Sequence, residues 1–222
     1  MVSSSSKLKF LLPNKKLFVF DFDGVIADSN HIKTEAFKNM FKDFGESISE
    51  KVVKHHESNA SMSRFDKFKY YYRNYLNTEL TEDRLKGLAQ EFSDIVLEKI
   101  ISSPEIEGST KFLKQLSKLG KICAINSATP HEEINFIVKE RKLSNLFKKV
   151  YGSPYSKKEI LESLMEEFNL INDDVVFFGD DKNDKLAADS LNILFIGIGR
   201  NPENGFVEDN SFENFKKINE MI

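Results

Sequence analysis

The strongest constraint in this sequence is where its acidic residues fall relative to short apolar runs. Residues 16–20 form one such run, and it stops at Asp21-Phe22-Asp23-Gly24. A second run, 121–126, stops at Asn126-Ser127. A third, 174–178, stops at Gly179-Asp180-Asp181, with Asp184 close behind. A fourth spans 193–198. Runs of this length bounded by turn residues read as strands buried on both faces. In an open parallel sheet, ligands bind beyond the carboxyl ends of the strands. Five carboxylates and a hydroxyl therefore share one rim. Carboxylates so placed raise one another's pKa unless a cation neutralises them. A hard divalent cation meets that need, and Mg2+ commonly shares its oxygen ligands between carboxylates and substrate phosphate. The pattern points to phosphoryl chemistry, which is largely positioning and charge neutralisation around an in-line nucleophile.

The chain between these runs is helical in pattern. Residues 29–101 contain no strand-like run. Ala36, Met40, Phe41 and Phe44 share one helical face; so do Phe65, Phe68, Tyr72 and Tyr75, and then Leu85, Leu88, Phe92, Ile95 and Val96. Ser102-Ser103-Pro104 punctuates the block. Beyond it, 109–119 reads as a helix with Phe112, Leu113, Leu116 and Leu119 inward and Gly120 as C-terminal cap. A helix at 130–141 carries Pro130 in its first turn. Residues 150–152 suit a short strand. Ser156 followed by Glu159 is a capping-box pattern ahead of Ile160, Leu161, Leu164, Met165 and Phe168. A further helix falls at 186–190. Residues 1–14 read as a tail ending in a turn at Pro13-Asn14, and 202–205 as a loop. The fold class this predicts is α/β: a Rossmann-like parallel-sheet core, 1–28 and 105–222, interrupted by an all-helical insertion, 29–104.

Composition narrows the function classes. With 40% hydrophobic and 30% charged residues the 222-residue chain is globular, not disordered. A net charge of -3 lacks the basic surplus of a general nucleic-acid binder. One cysteine, Cys123, excludes an internal disulfide framework, and its mid-strand position reads as a small buried hydrophobe. No apolar run approaches the roughly 20 residues of a membrane helix. The first ten residues lack the apolar region of a secretory signal, so a cytoplasmic location is expected.

These motifs resemble the haloacid dehalogenase superfamily of phosphohydrolases, near its phosphoglycolate phosphatase and beta-phosphoglucomutase branches. The strand-Asp-x-Asp-Gly motif stands at Phe18 to Val25. The strand ending in a hydroxyl is Ile122 to Ser127. The lysine opening a helix is in Ser156-Lys157-Lys158-Glu159, and the Gly-Asp-x-x-x-Asp motif runs from Gly179 to Asp184. The resemblance implies that Asp21 is the nucleophile, forming an aspartyl phosphate, and Asp23 the general acid/base. Dehalogenating members lack the second carboxylate, which favours phosphate over halide chemistry. It further implies that Ser127 holds the phosphoryl group and that a lysine compensates its charge, Lys157 in preference to Lys158. Mg2+ would be held by Asp21, Asp180 and the backbone carbonyl of Asp23, with Asp184 ligating through water or orienting the lysine. Asp181 is expected to support the site from behind. The insertion is similar to the family's helical cap, joined to the core near 26–29 and 103–108, which excludes water and selects the substrate.

The substrate-facing set expected is Gly24, Ser127, Ala128 and, in the cap beside Ser61 and Ser63, Arg64. An arginine there suits bidentate anion recognition. His31 is a weaker candidate contact. His55 and His56, being adjacent, do not share a helical face and do not suggest a metal pair. The expected partner is a small phosphorylated metabolite, with sugar phosphates foremost, and no nucleic acid or membrane. A phosphomutase of the beta-phosphoglucomutase type is the alternative reaction, and a non-catalytic binding or signalling protein the alternative class.

Overall fold

The computed structural model describes residues 4–60, 62–199 and 210–222. Ser61 and the 202–205 loop lie outside them. Five core strands and one short edge strand form a single sheet in the order β3-β2-β1-β4-β5-β6. They are β1 (Leu17–Phe20), β2 (Ile122–Pro130), β3 (Lys149–Ser153), β4 (Val175–Gly179), β5 (Leu194–Ile198) and β6 (Ser211–Phe212). Every pairing is parallel. Strand β1 lies between β2 and β4, so strand order reverses beside it. That reversal opens a crevice at the strands' carboxyl ends.

The alternation of side chains across the sheet explains its two cores. Leu17 and Val19 face one way and pack with Ile160, Leu161 and Leu164 of α8 (Lys157–Glu167). Phe18 and Phe20 face the other way, toward Phe112 and Leu116 of α6 (Ser109–Lys118). Phe20 stacks on Phe178 at 4.8 Å, and Phe112 meets both Phe18 and Phe20 edge-on at 6.2 and 6.3 Å. The capping box at Ser156 and Glu159 forms as its spacing predicts. Gly120 also caps α6 in a left-handed conformation, φ 67°.

The helical cap insertion consists of α2 (Asn30–Phe41), α3 (Glu46–Glu57), α4 (Arg64–Tyr75) and α5 (Glu82–Ser102). Phe37, Phe41, Phe68, Tyr71 and Phe92 are buried within it, with Phe37 and Phe92 4.4 Å apart. These rings are continuous with the α6 face of the sheet as one apolar cluster. The chain leaves and re-enters the sheet layer along paired segments. Asp28 donates to the Pro104 carbonyl at 2.9 Å, and Ile106 donates to that of Ile26 at 2.9 Å.

Several local expectations need correction. Residues 4–11 are not a tail: α1 (Ser4–Leu11) is helical, and Leu8 and Leu12 are buried against the core. Two apolar positions on one face were enough to dock it. Leu119 lies past the last turn of α6 and is 56% exposed, not inward. Phe44 sits in a 3-10 turn after α2, exposed on the flank of Phe41. Pro130 closes β2 and precedes α7 (His131–Glu140) rather than lying in its first turn. The last core helix, α9 (Lys182–Ser190), begins four residues before its expected start, because Asp181 caps it.

Candidate active site

The crevice beside β1 collects the acidic motifs. Asp21 leaves the end of β1, its amide donating to the Phe178 carbonyl of β4 at 2.8 Å. Asp180 follows β4, and Asp184 sits in the first turn of α9. One carboxylate oxygen from each of these three lies within 4.8 Å of the others. Gly24 and Gly179 make room for them. A Cβ on Gly24 would lie 2.1 Å from Asp180 Oδ2, and one on Gly179 would lie 2.5 Å from the Asp184 Cβ. Gly24 also has φ 74°, a conformation other residues adopt only with strain.

Lys157, at the start of α8, reaches into this group. Its ammonium lies 2.9 Å from Asp21 Oδ1 and 3.0 Å from Asp184 Oδ1, and donates to the Asn126 carbonyl at 2.6 Å. Burial would lower its pKa, but Asp184 and Asp21 outweigh that and hold it above the ordinary lysine range. Lys158, one residue on, faces solvent beside Glu162 at 3.5 Å. The helix geometry thus separates two lysines that the sequence left adjacent.

The electrostatics carry a clear imbalance. Burial, with Asp23 adding and Lys157 opposing, pushes the Asp21 carboxyl upward. Burial and the neighbouring Asp21 and Asp184 push Asp180 well above its usual range. Asp184 is pushed up to about 8, by burial first, despite Lys157. Lys157 answers two members of this carboxylate trio, Asp21 and Asp184. A divalent cation with oxygen ligands suits that donor set. Asp21, Asp180 and Asp184 are the residues that could hold it.

Asp23 behaves differently. Its Oδ1 accepts from Ser29 Oγ at 2.6 Å, and its Oδ2 from Lys33 Nζ at 2.5 Å and Thr129 Oγ1 at 3.3 Å. Burial alone would raise its pKa, but Lys33, with the two hydroxyls, overrides this and holds it below the usual carboxylate range. The side chain is therefore turned from the carboxylate trio toward the cap. Lys33 also donates to Thr129 Oγ1 at 2.9 Å, so one ammonium ties α2 to the ends of β1 and β2.

Ser127 is buried where β2 loses register, and its Oγ accepts from the Thr129 amide at 3.1 Å. Ala128 and Ser127 line a cavity of about 330 Å3 with Lys157, Ser63 and Asp66. Asp181 caps α9 through Asn183 at 2.7 Å and accepts from the Ala60 amide of the cap at 2.8 Å. Asn30 donates to Asp180 Oδ2 at 2.5 Å.

Arg64 is not on the rim. It is buried, and its terminal nitrogens donate to Glu133 of α7 at 2.9 and 2.5 Å and to Ser93 at 2.5 Å. Glu133 fills the fork expected to meet substrate, so Arg64 is a cap-to-core tie. His31 is exposed, 3.8 Å from Asp28. His55 and His56 diverge as helix geometry requires: His56 is buried against Phe37, and His55 stacks on Tyr70. Residues missed by sequence reasoning are Lys33, Asn30, Ser29 and Thr129. The signals available were the four-residue spacing from Ser29 to Lys33, which puts both on one turn, and a second hydroxyl two residues past Ser127.

Fold and site together define a hydrolase with an acidic, lysine-braced crevice on a Rossmann-like core, closed by a helical cap. The family model of the haloacid dehalogenase-like hydrolases matches residues 18–198, and the chain belongs to that family. A phosphoglycolate phosphatase from Colwellia psychrerythraea is 26% identical over 197 residues, covering 84% of this chain and 85% of that protein. Among solved structures, a beta-phosphoglucomutase from Clostridium difficile superposes with TM-score 0.76 at 20% identity, covering 93% of this chain and 96% of the other. A haloacid dehalogenase-like hydrolase from Streptococcus pneumoniae gives TM-score 0.63 at 19% identity, covering 83% and 85%. At these identities the structural likeness speaks for the fold. No helix among the described residues is long and apolar enough to cross a membrane.

Proposed function

We propose that the protein is a divalent-cation-dependent phosphatase acting on a small phosphorylated metabolite through an aspartyl phosphate on Asp21. The observation that carries this is the trio of buried Asp21, part-buried Asp180 and buried Asp184, with the Lys157 ammonium on two of its members. Mg2+, when bound there, supplies neutralisation of carboxylate and phosphate charge.

The protein's own groups divide the remaining work. Asp21 Oδ1 is engaged by Lys157 and by the Phe22 amide at 2.6 Å, which leaves Oδ2 to attack phosphorus. The Oδ2–P bond forms as the bond from phosphorus to the leaving oxygen breaks, and that oxygen takes a proton from Asp23. Water then attacks the phosphorus, gives its proton to Asp23, and releases Asp21 and inorganic phosphate. Lys33 favours the ionised Asp23, the form required in this second half. The first half requires Lys33 to move off Asp23 as substrate enters. In this reading Ser127 and Ala128 hold the phosphoryl oxygens and Lys157 balances their charge.

The curated phosphoglycolate phosphatase relative supports a compact phosphomonoester as substrate. Sugar phosphates belong to the same panel. The test is hydrolysis of an aryl phosphate with and without Mg2+. Turnover should need the cation and vanish on chelation; metal-independent turnover would sink the mechanism. Measuring inorganic phosphate on sugar phosphates separates hydrolysis from return of the phosphoryl group to sugar.

A further inference from the structure

A second concave site lies at the junction of cap and core, apart from the acidic rim. A cavity of about 740 Å3 is walled by three separate segments: Ile26, Ile101 and Glu105 at the junction, one face of α6, and the turn after α7. None of Asp21, Asp180, Asp184, Ser127 and Lys157 lines it. Its walls carry Lys114, Lys118, Arg141 and Lys142 against a single carboxylate, Glu105. The whole chain has a net charge of -3, so this wall reverses the overall sign. Lys114 and Lys118 stand four residues apart on α6 and so share a face. Among the described residues, none of the four cations is ion-paired with a carboxylate.

Two of these side chains are held there at a cost. Arg141 uses Nη1 alone to reach the junction, donating to the carbonyls of Ile100, Ile101 and Ser103 at 2.8, 3.0 and 2.8 Å and to Ser103 Oγ at 3.2 Å. These groups end α5, a favourable seat for a cation. The side-on edge of the guanidinium, Nε with Nη2, makes no hydrogen bond among the described residues, and Nε is buried. A buried donor without an acceptor is costly, and this edge is one that grips a carboxylate or phosphate with two parallel bonds. Lys142 has φ 59°, in the left-handed region. The other non-glycine residues with positive φ among those described, Asn77, Asn169 and Asn192, are of the type that tolerates it. A lysine is kept where the backbone favours glycine or asparagine.

We propose that this cavity binds a small polyanion bearing two or more phosphate groups, at a site separate from the acidic crevice. Its volume falls within the roughly 300–1,000 Å3 of small-molecule sites, and a recess walled by three segments suits a compact ligand. Cations from α6 and from the turn after α7 meet across it, more than a single phosphate would engage. Leu143 and Leu146 join Ile26 and Ile101 as an apolar side for the ligand's carbon skeleton. Because Nη1 of Arg141 holds the end of α5, an anion on the other edge of the guanidinium braces the junction between cap and core. The proposal does not rest on the phosphatase reading.

The test is calorimetric titration with inorganic pyrophosphate, in EDTA so that no divalent cation draws phosphate to the acidic crevice. The parent should bind one pyrophosphate per chain. The Lys114→Gln, Lys118→Gln pair should weaken binding at least tenfold, and the Lys114→Glu, Lys118→Glu pair should abolish it; both lysines are exposed, so the fold survives either change. Asp21→Asn should bind as the parent does, and so should a Lys51→Gln, Lys86→Gln pair on the exposed faces of α3 and α5. Pyrophosphate should also slow hydrogen exchange at the Asp28 and Ile106 amides, which pair the two junction segments. No saturable binding would overturn the proposal. Equal weakening in the Lys51, Lys86 pair would reduce it to diffuse charge attraction, and loss of binding in Asp21→Asn would move the ligand to the crevice; either overturns it. Tighter binding of citrate, or of a glutamate-rich peptide, would replace the phosphate ligand and overturn it too, and unchanged exchange at Asp28 and Ile106 would refute the bracing.

Discussion

Truncating Glu133 to leucine should destabilise the protein more than almost any other change outside the apolar core. Arg64 and Glu133 side chains are 4% and 10% exposed, so solvent screens the pair little. The carboxylate accepts from both terminal nitrogens of Arg64 and from Ser93 Oγ. Removing it leaves a guanidinium buried between α4, α5 and α7, held by Ser93 and a 3.5 Å contact to the Ala89 carbonyl. Breaking a buried pair in this way costs about 3–5 kcal/mol. In a chain of this size each kcal/mol lowers the melting temperature by about 2–4 °C. The expected fall is therefore on the order of 10 °C. The Arg64→Met, Glu133→Leu double variant should recover most of it, since the apolar replacement strands no charge and Phe92 lies 4.7 Å from the Arg64 carbon. Thermal and urea unfolding of the four proteins closes the cycle. Additive single effects below about 1 kcal/mol would refute the tie. So would an Arg64→Met protein of parental stability whose KM alone rises, which would restore Arg64 to the substrate.

Asp21→Asn should abolish turnover of every phosphate ester while leaving the circular dichroism spectrum unchanged; near-normal rates would remove Asp21 from its role. Lys157→Ala should lose turnover as severely, whereas Lys158→Ala should match the parent in rate and keep stability within about 0.5 kcal/mol, since its side chain is half exposed. Lys67 is buried on α4, its ammonium donating to His56 Nδ1 at 2.8 Å, and burial lowers its pKa to about 7. The stability difference between Lys67→Met and the parent should depend on pH in a definite sense. A lysine lowered to about 7 in the fold and ordinary when unfolded binds fewer protons folded than unfolded between those values, so the parent gains stability as pH rises through that window. The advantage of Lys67→Met should be greatest below about pH 7 and fade above it; a pH-independent difference in urea midpoints would contradict the placement of Lys67.

What could be read in advance was whatever short-range spacing controls. Strands β1, β2 and β4 are near-continuous apolar runs because both of their faces are covered; the ends of β1 and β4 carry the acidic residues and that of β2 the hydroxyls. The Ser156–Glu159 box is a four-residue pattern and formed as such. What escaped depends on contacts across long stretches of chain. The Lys33–Thr129 bond joins residues 96 apart, and Arg64–Glu133 joins residues 69 apart. Nothing local distinguishes these side chains from solvated ones. Strand β6 pairs only two residues at the sheet edge, too few to show a pattern. Leu119 and Phe44 were misjudged for a simpler reason: helical periodicity was extended one step past the helix end.

The paired segments at 26–28 and 104–106 have an evolutionary consequence. Because outgoing and returning chain meet through the Asp28–Pro104 and Ile106–Ile26 hydrogen bonds, the sheet sees little more than a tight turn, whatever lies beyond it. Closing a longer loop costs only slowly increasing entropy, so a lineage can lengthen, shorten or exchange the helical body without disturbing strand register. The acidic rim stays with the sheet, while Lys33, Arg64 and Lys67 travel with the exchangeable body. The rim and the side chains that meet it from the cap are thus inherited on separate pieces of one gene, free to change at different rates.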